Sequence, residues 1–137
     1  MAVRGPLALP ERIFQALTEP AGLQGWLSQD VEAQPVAGST AVFHFDQRVN
    51  AIRVEIMELV PSSKLVWKVL QGMPAWEHMV STITWELMRS ESGTFVNFVQ
   101  DGWESTAGAF SSVNFKWAWL MTSLKNYIEA GHGTPLP

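Results

Sequence analysis

The chain has 137 residues, 47% of them hydrophobic and only 16% charged, which is enough apolar matter for one domain with its own core and excludes a disordered chain. A formal net charge of −4, with 9 Lys and Arg scattered along the sequence, excludes a partner held by phosphate contacts, and so excludes nucleic acid. The absence of cysteine excludes thiol catalysis, disulfides and thiolate metal sites, and suits a reducing cytoplasm.

Residues 3–9 are short and apolar and read as a first strand, without the apolar core of a signal peptide. Pro10 stands where helices accept proline, and Glu11 follows it at the positive helix end. Ile13, Phe14 and Leu17 recur at helical spacing. Thr18-Glu19-Pro20 interrupts that helix, and a second short one carries Leu23, Trp26 and Leu27.

Runs rich in Val, Ile, Trp, Phe and Thr then predict strands near 31–36, 40–47, 50–60, 64–71, 76–88 and 94–101. Gly38-Ser39, Pro61-Ser62-Ser63, Gly72-Met73-Pro74 and Ser90-Glu91-Ser92-Gly93 separate them as turns. Links this short imply an antiparallel meander. Ser81, Ile83, Trp85 and Leu87 fall on one face of their strand, Leu65, Trp67 and Val69 on one face of theirs, and Thr94, Val96, Phe98 and Gln100 on one face of the last.

From about Glu104 to Ala130 there is no proline, and Phe110, Val113, Trp117, Met121, Leu124 and Ile128 form a helical stripe. Gly131 suits a left-handed cap, and residues 131–137 read as a flexible tail. No stretch reaches the roughly 18 apolar residues that span a bilayer, so no membrane partner is expected. The order predicts an α+β fold over 1–137: a curved antiparallel sheet of about seven strands around one long C-terminal helix, with two short helices after the first strand. A curved sheet against a cylinder leaves room for a cavity.

Several stretches resemble one known superfamily. Pro10 to Thr18 followed by Trp26 is similar to its opening helix motif, and Glu58 to Pro61 with Lys64 to Trp67 to its middle hairpin. Ser81 to Leu87 with Gly93-Thr94 resembles its late hairpin. Trp117, Met121, Leu124-Lys125, Tyr127 and Glu129-Ala130-Gly131 resemble its last helix. The chain is identified as a member of the START-related helix-grip superfamily (SRPBCC), in the subfamily of activators of the heat-shock protein 90 ATPase. The resemblance implies a deep hydrophobic ligand cavity. It implies no single activity, since members bind lipids, polyketides and hormones, and others are cyclases or co-chaperone domains.

Strand alternation and helical phase turn Trp67, Trp85 and Trp117 toward one another, with Phe43, Phe45, Phe98, Phe110 and Met121 in the same register and Trp26 roofing them. Such a set forms either a packed core or the wall of a site for a small hydrophobic ligand. Gln100 and Asn114 fall on the apolar faces and are the polar groups that would orient it. His44, His78 and His132 have no partner at metal-ligand spacing, and no phosphate loop, nucleophile elbow or paired-carboxylate motif occurs, so no metal, cofactor or catalytic residue is assigned. Trp76 and Trp103 fall near strand ends, where an exposed indole would suit a partner surface such as a homodimer, and the resemblance implies a chaperone as a further partner.

Overall fold

Seven strands form one antiparallel sheet in a computed structural model that describes residues 1–71, 81–101 and 107–136, with side chains for all of these except 71 and 107–116. The strands are β1 (Ala2–Arg4), β2 (Asp30–Glu32), β3 (Thr40–Phe45), β4 (Asn50–Val60), β5 (Lys64–Gln71), β6 (Ser81–Ser90) and β7 (Gly93–Asp101). Helices α1 (Pro10–Thr18) and α2 (Pro20–Trp26) follow β1, and α3 (Ala107–Ala130) follows β7. The sheet order β1-β7-β6-β5-β4-β3-β2 is a meander from β2 to β7, closed at the far edge by β1. Strands joined by short links pair with their sequence neighbours, as the turn spacing predicts.

The pairing of β4 with β5 shifts register twice, between Arg53 and Val54 and between Ile56 and Glu58. Each shift leaves one residue unopposed, Leu70 and then Met57, the mark of a bulge that bends the strand and increases its twist. Inner and outer faces alternate as the sequence predicts: Ser81, Ile83, Trp85 and Leu87 are buried, and Glu86 and Met88 are exposed. No described helix is long and apolar enough to cross a membrane.

Three strands are shorter than expected. The first ends at Arg4, not residue 9, because Gly5 turns the chain at φ +108°. The second ends at Glu32, ahead of Pro35, which has no N–H for a ladder. The third ends at Phe45 because Asp46, Gln47 and Arg48 all adopt left-handed backbone, at φ +53°, +54° and +70°. Residues 76–80 of the sixth expected strand and 104–106 of the long helix lie outside the described residues, as do Trp76, His78 and Trp103.

The described end of the α3 stripe consists of Trp117, Leu120, Leu124 and Ile128, with Met121 partly buried beside it. Leu120 completes a 3-4-4 spacing that the sequence stripe passes over. Gly131 ends the helix at φ +87°, its N–H bonded to the Tyr127 carbonyl. The segment after it, expected to be loose, is tied down. The Thr134 N–H bonds the Ser123 hydroxyl at 2.7 Å, the Leu136 N–H bonds the Leu27 carbonyl at 3.1 Å, and Leu136 bridges Ser28. Ser123 is fully buried and also donates to the Trp26 carbonyl, so one hydroxyl joins α3, α2 and the tail.

Candidate functional site

Alternation along four strands and the phase of two helices bring six aromatic rings into one chain of contacts. Phe43 (β3) meets Trp67 (β5) at 5.4 Å between ring centroids, and Trp67 meets Trp85 (β6) at 5.5 Å. Trp85 meets Phe98 (β7) at 4.9 Å, Trp26 (α2) at 6.0 Å and Trp117 (α3) at 6.2 Å. Phe98 and Trp117 close the group at 4.8 Å. Each ring comes from a different element, so the wall exists only once the sheet, α2 and α3 are assembled. Register places Trp85 directly opposite Leu65 and Phe98.

Trp85 is the hub. Its four ring neighbours lie at interplanar angles of 68° to 79°, the edge-to-face arrangement that the ring quadrupole favours. Its indole nitrogen is fully buried and has no hydrogen-bond partner. Trp26, equally buried, differs: its N–H donates to the Ala16 carbonyl at 2.7 Å. That carbonyl needs a donor, because the residue four positions on is Pro20, which has no N–H. The proline that separates α1 from α2 thereby selects the tryptophan that repairs the helix end.

Two close approaches seat these helices. A Cβ on Gly22 would lie 2.6 Å from the Ala16 Cα, so α1 and α2 fold against each other only over a glycine. A Cβ on Gly25 would lie 2.2 Å from Cε1 of Tyr127, so the same holds between α2 and α3.

Polar groups reach the inner face at one end of β6 and β7. The Gln100 amide donates to the Ser81 hydroxyl at 3.0 Å, and Ser81 is buried. Gln100 thus lies in phase with Phe98, as its position in the strand predicts. Of the other expected lining residues, Phe45 is buried at the end of β3 and Met121 packs against the core. The side chains of Phe110 and Asn114 lie outside the described residues. Sequence reasoning missed Leu120, for which the spacing was a usable signal, and Ser123, for which there was none.

A second polar group forms at the β2 edge, away from the rings. Arg48 forks onto Asp30 at 2.8 and 3.1 Å, and His44 Nε2 pairs with Glu32 at 2.8 Å. Asp30, His44 and Arg48 border a groove of about 360 Å3 with Gln29, Asp46 and Gln47. The guanidinium bonded to Asp30 holds that carboxyl below its usual range, and the bond from His44 does the same for Glu32. His44 points to the outer face, opposite Phe43 and Phe45, as alternation predicts. Among the described residues no group of three His, Asp or Glu could hold a metal.

A groove on the outer side of α3 has an uncharged lining. Its volume is about 440 Å3, and Ala118, Trp119, Thr122 and Asn126 line it with Thr134 of the tail. Trp119 is half exposed, and its N–H is anchored on the Thr134 carbonyl at 3.2 Å.

A family model described as "Activator of Hsp90 ATPase homolog 1-like protein" matches residues 8–129. Comparison with curated proteins gives no match. Among solved structures, the Aha1 dimer from Colwellia psychrerythraea is 34% identical, with a TM-score of 0.81 over 92% of each chain. Protein MLL2253 from Mesorhizobium loti is 22% identical, with a TM-score of 0.75 over 90% of each chain. Protein SSP2350 from Staphylococcus saprophyticus is 18% identical, with a TM-score of 0.77 over 100% of this chain and 93% of the other. The last two show likeness of fold alone.

Proposed function

Since the chain belongs to the Activator of Hsp90 ATPase homolog 1-like family, we propose that it binds a small apolar or aromatic molecule between α3 and the inner face of the sheet. The observation that carries this reading is the set of six rings drawn from six elements around Trp85. Cores built for stability alone are filled mainly by aliphatic side chains, whose shapes interlock. Flat ring faces suit a flat guest, and binding pockets combine such walls with a few placed polar groups. The lining is Trp26, Phe43, Phe45, Trp67, Trp85, Phe98, Phe110, Trp117 and Met121, with Gln100 and Asn114 orienting the guest. On its cysteine-free composition the protein belongs in a reducing cytoplasm.

Binding to the folded state raises stability by mass action, by about 2.7 kcal/mol at a ligand concentration a hundredfold above Kd. Thermal melts and tryptophan emission against lipids, aromatic polyketides and flavonoids test the reading. A rise in Tm with a change in emission supports it. If no compound in these classes moves either signal, it is wrong.

The family match favours a second reading, in which the domain docks on a heat-shock protein 90 and promotes its ATPase. Co-purification with that chaperone and a rise in its ATPase rate are the expected results, and a chaperone indifferent to the protein removes the reading. The dimer named for the Colwellia relative supports a homodimer here as well. A two-fold contact sets each surface against its own copy, so a neutral face escapes the like-charge repulsion of a chain with net charge −4. The outer side of α3 around Trp119 has that character. Sedimentation equilibrium of wild type and of Trp119→Glu tests it: a dimer that the substitution dissociates is expected, and a monomeric wild type refutes it.

A further inference from the structure

We propose that the guest molecule is uncharged and carries a carbonyl or ether oxygen, and that this oxygen accepts the indole N–H of Trp85. The inference rests on the ligand reading above and narrows its chemistry.

Trp85 is completely buried at the centre of β6, and its N–H is bonded to nothing. Buried donors without acceptors are rare in folded proteins, and each one calls for an explanation. Two other indoles show the contrast. Trp26, as deeply buried, donates to Ala16, and half-exposed Trp119 donates to Thr134. Among the described residues the rings in contact with Trp85 are Trp26, Trp67, Phe98 and Trp117, whose faces are far poorer acceptors than an oxygen lone pair. A buried water needs two to four polar partners, and these four rings offer it none as an acceptor. An oxygen delivered by the guest itself fills the role.

Charge fixes the rest of the class. The buried polar residues among those described are Thr18, Ser28, Ser81, Thr94 and Ser123, and none of them carries a charge. An anionic head group placed here would lose its water and gain no counter-charge from the described residues, which is far costlier than burying a neutral oxygen with a donor aimed at it. A ketone, quinone, ester or ether on an aromatic or polycyclic skeleton therefore fits, and a free carboxylate does not.

Fluorenone and fluorene make the test, since they share one tricyclic skeleton and differ by a carbonyl against a methylene. In a site without a donor the ketone binds more weakly, because its oxygen gives up water for nothing. The expected result with wild-type protein is the reverse, a Kd for fluorenone at least tenfold below that for fluorene. In Trp85→Phe, which keeps a ring and loses the N–H, that preference should vanish while fluorene still binds. A second readout needs only wild type. The Trp85 indole proton resonance should move downfield when fluorenone is added and not when fluorene is. Equal affinities in wild type, a preference that survives in Trp85→Phe, or an indole proton that ignores the ketone would each overturn the inference and leave the ligand reading standing. If neither compound binds, the ligand reading for tricyclic guests fails and this inference fails with it.

Discussion

Two tryptophans of equal burial differ in one hydrogen bond, and that difference predicts unequal responses to the same substitution. Trp26 and Trp85 are both fully buried, and they touch each other. Replacing either by Phe removes about three heavy atoms from the interior, which costs roughly 2 kcal/mol at about 0.8 kcal/mol per carbon. At Trp26 the bond to the Ala16 carbonyl is also lost. Pro20 has no N–H to replace it, so that carbonyl is left buried and unmade at a further cost of roughly 1–3 kcal/mol. The total for Trp26→Phe is therefore about 4 kcal/mol. At Trp85 no bond is lost, and an unsatisfied donor disappears, which returns roughly 1–3 kcal/mol. Trp85→Phe should then cost about 1 kcal/mol or less. Urea unfolding of both variants, followed by far-ultraviolet circular dichroism at matched slope, measures the gap. A difference of about 3 kcal/mol is expected, and equal losses would show that the N–H of Trp85 is satisfied in solution.

Three further outcomes follow from local geometry. Gln47 stands in the middle of three consecutive left-handed residues, a conformation that costs an ordinary side chain roughly 1–2 kcal/mol. Gln47→Gly should stabilise the protein by about 1 kcal/mol and raise Tm by about 3–5 °C in calorimetry, and a lowered Tm counts against that backbone. Gly25→Ala should destabilise by roughly 1–3 kcal/mol although alanine is the better helix former, since its Cβ would meet the Tyr127 ring at 2.2 Å; a gain in stability would place Tyr127 elsewhere. Asp30 titrates below its ordinary 3.8 because of Arg48, so its ion pair contributes above that value and is lost as pH falls through the lower folded value. In Arg48→Gln a carboxyl-detected titration should show Asp30 moving up toward 3.8, and an unmoved Asp30 would refute the pairing.

Where turn residues declare themselves, the strands are legible. β4 and β5 begin and end where Pro61-Ser62-Ser63 and the alternation put them. β3 ends early because Asp46, Gln47 and Arg48 turn the chain through left-handed backbone without a glycine, so composition gave no notice. The same contrast holds inside the site. A period of two on β5 and β6 and a helical period on α3 suffice to turn Trp67, Trp85 and Trp117 toward one another. The partners of their polar atoms are not periodic. Ser81 meets Gln100 only through cross-strand register, and Ser123 meets Trp26 and Thr134 only because α2, α3 and the tail converge. Contacts fixed by register and by the meeting of distant segments leave no pattern along the chain.

Tryptophan itself shows how far residue type falls short of role. Trp26, Trp85 and Trp119 have the same ring and the same donor, and the fold uses them in three ways. Trp26 supplies the N–H that Pro20 lacks, so its nitrogen belongs to the α1–α2 junction and only its ring face is left for the wall. Trp119 turns its ring outward and its N–H onto the tail, which makes it a surface feature held in one orientation. Trp85 has its ring in contact with four others, and no described residue accepts its N–H. Burial alone would group Trp26 with Trp85, and composition would group all three. The hydrogen-bond ledger separates them, because ring burial is rewarded equally in a core and in a pocket, whereas a buried donor is tolerable only if something accepts it. Trp26 and Trp119 have their acceptors within the chain. For Trp85 no described residue supplies one, which is why this one nitrogen favours the proposed wall for a guest over a core built only to be full.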